Sequence, residues 1–137
     1  MVKSKPFTLR LTPETDAWVE YEARRTKRSK GAVVEALAEE AARMRRFPGI
    51  GFRGPDHDRQ AWLRGTGLEV WEVIEAYRDA GSFEGLLAVS DVPEPVVRLA
   101  LTYYEHYPDE IDRAIAENQR SDDELHRLFP GIVPRPS

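Results

Sequence analysis

The chain contains no cysteine, which excludes disulfides, thiolate nucleophiles and cysteine-based zinc sites. Its 3 histidines, His57, His106 and His126, are too scattered to form a catalytic or metal-binding set. There is no run of about 18 apolar residues, so no membrane span is expected. The first residues lack the apolar core of a secretory signal. Also missing are a phosphate-cradling glycine loop, a nucleophile elbow and a His-Glu metal motif. Asp56, His57 and Asp58 are neighbours on one loop, and adjacent residues rarely reach a metal together. Asp109 and Asp112 have the i, i+3 spacing of a solvated helix face. These absences lead us to expect a cytoplasmic protein that is not an enzyme and needs neither metal nor cofactor.

What is present is a charge asymmetry. At 137 residues and 41% hydrophobic, the sequence has room for one medium domain or two small ones. The net charge of −4 hides a split. Met1 to Arg46 carries 11 Lys/Arg against 7 Asp/Glu, whereas Phe47 to Ser137 carries 9 against 17. A basic part suits a polyanion, because neutralising phosphates releases counterions. An acidic part would be repelled by one, so two parts with two partners are expected.

The basic part opens with KPFTLRLTP, Lys5 to Pro13. Its apolar residues alternate, placing Phe7, Leu9 and Leu11 on one face of a strand and Thr8 and Arg10 on the other. Thr12 is a plausible N-cap before Pro13 and Glu14, so a helix is predicted to run to about Thr26. Trp18 and Tyr21, with Ala17 and Val19, supply its inward stripe. Ser29 is placed to cap a second helix from Lys30 to about Arg45, with Val33, Val34, Leu37, Ala38 and Ala41 as its apolar face. One strand cannot satisfy its own backbone groups, and about 45 residues bury too little surface to stand alone. A second copy of the chain answers both problems. The two strands would pair antiparallel across a two-fold axis, with Phe7, Leu9, Leu11, Trp18, Val33, Val34 and Leu37 in a shared core. Thr8 and Arg10 would project from the resulting ribbon.

Arg46 to Gln60 is rich in glycine and proline and reads as a linker with a short strand at Ile50 to Arg53. A second short strand over Ala61 to Arg64, turning at Gly65 to Gly67, would complete a β-hairpin. Helical periodicity resumes at Leu68 and stops at Gly81, a C-cap residue. Ser82 caps a short helix, and Pro93 and Pro95 open a longer one that carries Val96, Val97, Ala100, Tyr103, Tyr104 and Tyr107. Pro108 restarts a helix through Ile111, Ala114 and Ile115. Ser121 to Glu124 reads as a capping box before Leu125, Leu128 and Phe129. The expected fold is therefore mainly α, with residues 1–46 as a dimerisation domain. Residues 47–60 would be the linker, 61–120 a helix-turn-helix-like helical domain that binds a partner, and 121–137 an acidic helix and tail.

Strand, Thr12-Pro13 start, helix, basic corner and Ser29-Lys30 helix together resemble the ribbon-helix-helix fold of CopG- and VapB-like proteins. The resemblance covers residues 4–46. It implies a two-stranded ribbon in the major groove of double-stranded operator DNA, where all four base pairs are distinguishable. On that resemblance Thr8 and Arg10 are the base readers, while Ser29, Lys30 and Gly31 clamp a phosphate at a helix N-terminus. Lys27, Arg28 and Lys5 are auxiliary phosphate contacts. The family's third outward residue falls on Pro6, which has no N–H to donate.

A second resemblance covers roughly residues 47–118. Leu63-Arg64-Gly65-Thr66 leading to Val70-Trp71, and Tyr103 to Asn118, look like a small helical family of formerly uncharacterised antitoxins found beside PIN-type ribonuclease toxins. Gly67 stands where that family usually has an arginine-like side chain. The combined resemblance implies the antitoxin of a type II toxin–antitoxin system. Such a protein would repress its own operon as a homodimer or higher even-numbered oligomer and neutralise a PIN-type toxin. Leu125, Leu128, Phe129 and Ile132 would anchor the tail on that partner. The alternative is a stand-alone repressor whose C-terminal domain oligomerises or senses an effector.

Overall fold

The computed structural model describes residues 3–128 and divides the chain into two units, Met1–Arg43 and Met44–Ser137. Helices dominate both, and a small three-stranded antiparallel sheet belongs to the second.

In the first unit an extended segment leads into α1, Pro13–Thr26. Its start follows from local chemistry. The Thr12 hydroxyl accepts from the Thr15 amide at 3.4 Å, Pro13 occupies the first turn, and Glu14 and Asp16 face the positive end of the helix dipole. The helix ends at Lys27, which adopts a left-handed conformation (φ 56°), while the Arg28 amide reaches back to the Ala23 carbonyl at 3.0 Å. Ser29 then caps α2, Lys30–Arg46, by accepting from the Ala32 amide at 3.0 Å. The alternating segment Lys5 to Leu11 is extended but makes no strand within the single chain. A strand is defined by its ladder, and among the described residues no second segment of this unit offers one.

Within the single chain Val19 is the residue of α1 that is buried, 1% exposed, with Val33 of α2 at 2%. Asp16, Glu22 and Thr26 flank it on the same helix face, while Trp18 and Tyr21, expected in the inward stripe, are exposed in one chain.

The second unit begins before the anticipated boundary. Residues 47–60 are not a linker, because Phe47 and Ile50 are buried in its core. Phe47 meets Tyr103 edge-on at 5.4 Å and Tyr107 at 6.1 Å. The turn residues there serve a hairpin of β1, Ile50–Arg53, and β2, Gln60–Leu63, in the register Ile50 opposite Leu63 and Gly51 opposite Trp62. A third strand, β3 at Leu68–Glu69, pairs with β2 where the periodicity predicts the start of a helix. The sheet's inner face carries Ile50, Phe52, Ala61, Leu63 and Leu68.

Four helices follow, of which the first packs against β2 and β3 and the other three pack around it. α3, Val70–Ala80, ends at Gly81, whose φ of 79° suits glycine. Ser82 caps α4, Phe83–Val89, accepting from the Gly85 amide at 2.9 Å. α5 spans Glu94–His106 and α6 spans Pro108–Leu128. Val70, Ile74, Val97, Ala100, Tyr103 and Ile111 are at most 2% exposed and form the centre of the core. The Tyr103 hydroxyl is satisfied there by the Glu110 carboxylate at 2.8 Å. Ser121 to Glu124 does not start a new helix but lies within α6. The capping-box pattern is overridden because nothing between Pro108 and Leu128 breaks the helix.

Candidate nucleic-acid interface

The first unit exposes the residues that would normally form a core. Phe7 is 79% exposed, Leu9 55%, Trp18 49%, Tyr21 55% and Leu37 41%, while Leu11 and Val34 are half-buried. Of the seven residues assigned to a shared core, Val33 alone is buried within one chain. Between the extended segment and α2 lies an open groove of about 1210 Å³. Pro6, Phe7, Leu9 and Leu11 line it on one side, and Val34 and Ala38 on the other. Lys3 and Glu35 form an ion pair that ties the segment to α2 beside the groove.

Thr8 and Arg10 are exposed on this segment, at the alternate positions to Phe7 and Leu9. Lys5 is exposed two residues before Phe7. The corner between α1 and α2 gathers Lys27, Arg28, Ser29, Lys30 and Gly31 within five residues. Three of them are partly engaged. Ser29 spends its hydroxyl on the α2 cap, and Arg28 donates to the Thr26 hydroxyl at 3.0 Å. Lys30 pairs with Asp16 and lies 3.8 Å from Glu20, both on α1. The hydrogen bond to Asp16, reinforced by the charge of Glu20, raises the Lys30 pKa. The amides of Lys30 and Gly31 open α2, where a helix supplies no acceptor of its own, and a side chain added at Gly31 would meet open space. The corner thus offers an anion backbone N–H groups and Lys27, while Lys30 is drawn toward α1.

Compared with known proteins, the chain matches no family model, no curated protein and no solved structure.

The tail residues assigned to a partner are separated by the structure. Leu125 lies in α6, Leu128 is 65% exposed at its end, and Phe129 and Ile132 lie outside the described residues. The packed face of α6 runs through Ile111, Ala114 and Ile115. After Asn118, which caps its amide on the Ala114 carbonyl at 2.8 Å, Gln119, Arg120, Asp123, Glu124 and Arg127 are exposed.

A surface cluster that sequence patterns did not reveal joins three helices of this unit. Arg78 of α3 donates to the Tyr104 hydroxyl of α5 at 2.7 Å and pairs with Asp112 of α6, which also accepts from Tyr104 at 2.8 Å. Arg78 and Tyr104 hold the Asp112 carboxyl below the usual carboxylate range. Arg78 and Asp112 are exposed and Tyr104 is half-buried, and the cluster clips the three helices together. Also unanticipated were the Asp16–Lys30 pairing and the arrangement of the outer sheet face, described below. Each joins residues on separate elements, and no local spacing rule reports such contacts.

Proposed function

We propose that the chain is a DNA-binding repressor of ribbon-helix-helix type and the antitoxin of a PIN-type ribonuclease toxin. The observation that carries the first half is the first unit's exposed apolar set. A folded unit of an extended segment and two helices that leaves Phe7, Leu9 and Leu37 bare beside an open groove is incomplete. The occupant that fits the groove is the same segment of a second copy. It brings its own Phe7, Leu9 and Leu11, and it supplies the missing backbone ladder. Pairing would turn Thr8 and Arg10 of both copies to one face of a ribbon, clear of the core. Arginine can pair bidentately with guanine there, and threonine can bond a base or touch a thymine methyl. The amides that open α2 would take a flanking phosphate.

The second half rests on charge and on α6. Gly65 to Ser137 carries 6 Lys/Arg against 15 Asp/Glu, and the last turns of α6 carry the exposed Leu128 near the exposed Asp123, Glu124 and Arg127. A helix with acidic flanks and an apolar anchor suits the basic RNA-binding surface of a nuclease.

Two experiments test this reading. Substitution of Arg10 by alanine is expected to weaken operator binding by about 1–3 kcal/mol and relax specificity while leaving the dimer intact. Unchanged sequence-specific binding would overturn the ribbon assignment. Affinity capture of the tagged protein from its host, followed by mass spectrometry, should yield a stoichiometric small protein with nuclease carboxylates. Recovery of promoter DNA without it would leave a stand-alone repressor.

A further inference from the structure

The outer face of the sheet is built unlike an ordinary solvated surface. Strand alternation places Gly51, Arg53, Gln60, Trp62 and Glu69 there, opposite the core-facing set. Trp62 is cross-strand from Gly51 and lies over it: a Cβ at position 51 would come within 2.7 Å of the indole nitrogen and 3.0 Å of the Arg64 side chain. The Arg53 guanidinium stacks on the indole at 4.7 Å and donates to the Gly67 carbonyl at 2.9 Å, which fixes its plane. Arg64 makes no side-chain hydrogen bond or ion pair among the described residues, and neither does the Trp62 N–H. Indole and guanidinium groups donate and cannot accept. The one carboxylate on this face, Glu69, is held by Trp71 and lies 3.6 Å from Arg53.

Phe47 to Arg64 carries 3 Lys/Arg against 2 Asp/Glu, whereas Gly65 to Ser137 carries 6 against 15. The hairpin therefore lacks the acidic excess of the helices that follow it. The groups on this face that no described residue engages, the Arg64 guanidinium and the Trp62 N–H, are donors and complement a phosphate backbone, whereas the basic surface of a nuclease would be repelled by Arg64.

We infer that the sheet face formed by Arg53, Trp62 and Arg64 over Gly51 is a second nucleic-acid contact, taking the phosphate backbone of duplex DNA without reading its sequence. The choice of DNA as the polyanion rests on the repressor reading above. Gly51 is required because any side chain there would lift Trp62 and Arg64 off the sheet.

The test uses the full chain and a random-sequence duplex several helical turns long, with affinity measured by fluorescence anisotropy across a salt series. Replacing both arginines, R53Q with R64Q, is expected to weaken binding about tenfold and to lower the slope of log affinity against log salt by about two, roughly one per lost phosphate contact. R64Q alone removes no hydrogen bond or ion pair among the described residues. It should lower the slope by about one, and it decides the matter if the double variant melts early. An unchanged slope in R64Q overturns the inference, as does a slope that falls with single-stranded but not duplex DNA. Failure of the repressor reading is separately visible: R10A would then leave operator specificity unchanged whatever the arginine variants do.

Discussion

The two units of this chain handle their apolar residues in opposite ways. In Met44–Ser137, Tyr103, Ile74, Val70 and Ile111 find their partners within the same chain, and the buried tyrosine hydroxyl is matched to Glu110. In Met1–Arg43, Val19 and Val33 are the buried pair, while Phe7, Leu9, Trp18, Tyr21 and Leu37 are left outside. Both units have well-formed helices with side-chain caps, so local structure is equally well specified in each. What differs is where tertiary burial is completed. A short strand with two helices has too few layers to close on itself, and its helical propensities alone would not hold it folded.

The sharpest break of this comparison is to remove the apolar face of the first unit. Joint substitution of Phe7 and Leu9 by alanine is expected to dissociate the proposed dimer at micromolar concentration and to melt the first unit. The second unit's transition should persist, read as the surviving cooperative step in thermal unfolding. Next in size is Ile74→Ala in the second core. Removal of a buried isoleucine should cost about 2–5 kcal/mol, and because its neighbours come from the same chain the loss should not depend on protein concentration. Denaturant midpoints measured at several concentrations separate these two behaviours.

A smaller effect concerns Lys30, whose ammonium is drawn toward Asp16 and Glu20. Asp16→Asn should release it toward a phosphate and remove a repulsive charge, strengthening DNA binding a few-fold with a steeper salt dependence. The smallest effect involves the exposed Arg78–Tyr104–Asp112 clip. Asp112 has a lowered folded-state pKa, so its contribution is complete above its unfolded pKa and is lost as pH falls through the folded value. Asp112→Asn should therefore flatten the acid limb of the stability profile of the second unit and leave the alkaline limb in place, as followed by thermal melts across acid pH.

Much of the helical framework was legible in the sequence because it is written in short-range chemistry. Thr12-Pro13, Ser29, Gly81, Ser82 and Pro108 each act within one turn, and the elements begin or end where those residues sit. Errors came where a local signal competes with a tertiary one. Leu68 continues the apolar pattern of α3 but is held as β3 by its pairing with Leu63, and Ser121 to Glu124 resembles a helix start inside a helix that needs none. The glycines and prolines after Arg46 read as a linker because turn residues look alike whether or not the segment between them is buried; Phe47 and Ile50 decide otherwise. Of the candidate site, the exposed positions of Thr8, Arg10 and the Lys27–Gly31 corner followed from alternation and capping. The Lys30 ion pair and the Trp62 platform over Gly51 depend on contacts between separate elements, which no periodicity encodes.

The central claim is that a second copy completes the first unit, and sedimentation equilibrium of the full-length protein tests it most directly. The account predicts a mass of twice the 15.7 kDa chain, or an even multiple, at micromolar concentration, falling to the single-chain value in the Phe7 and Leu9 double variant. A wild-type protein that stays at 15.7 kDa at the same concentrations, with its first unit fully folded, would contradict it.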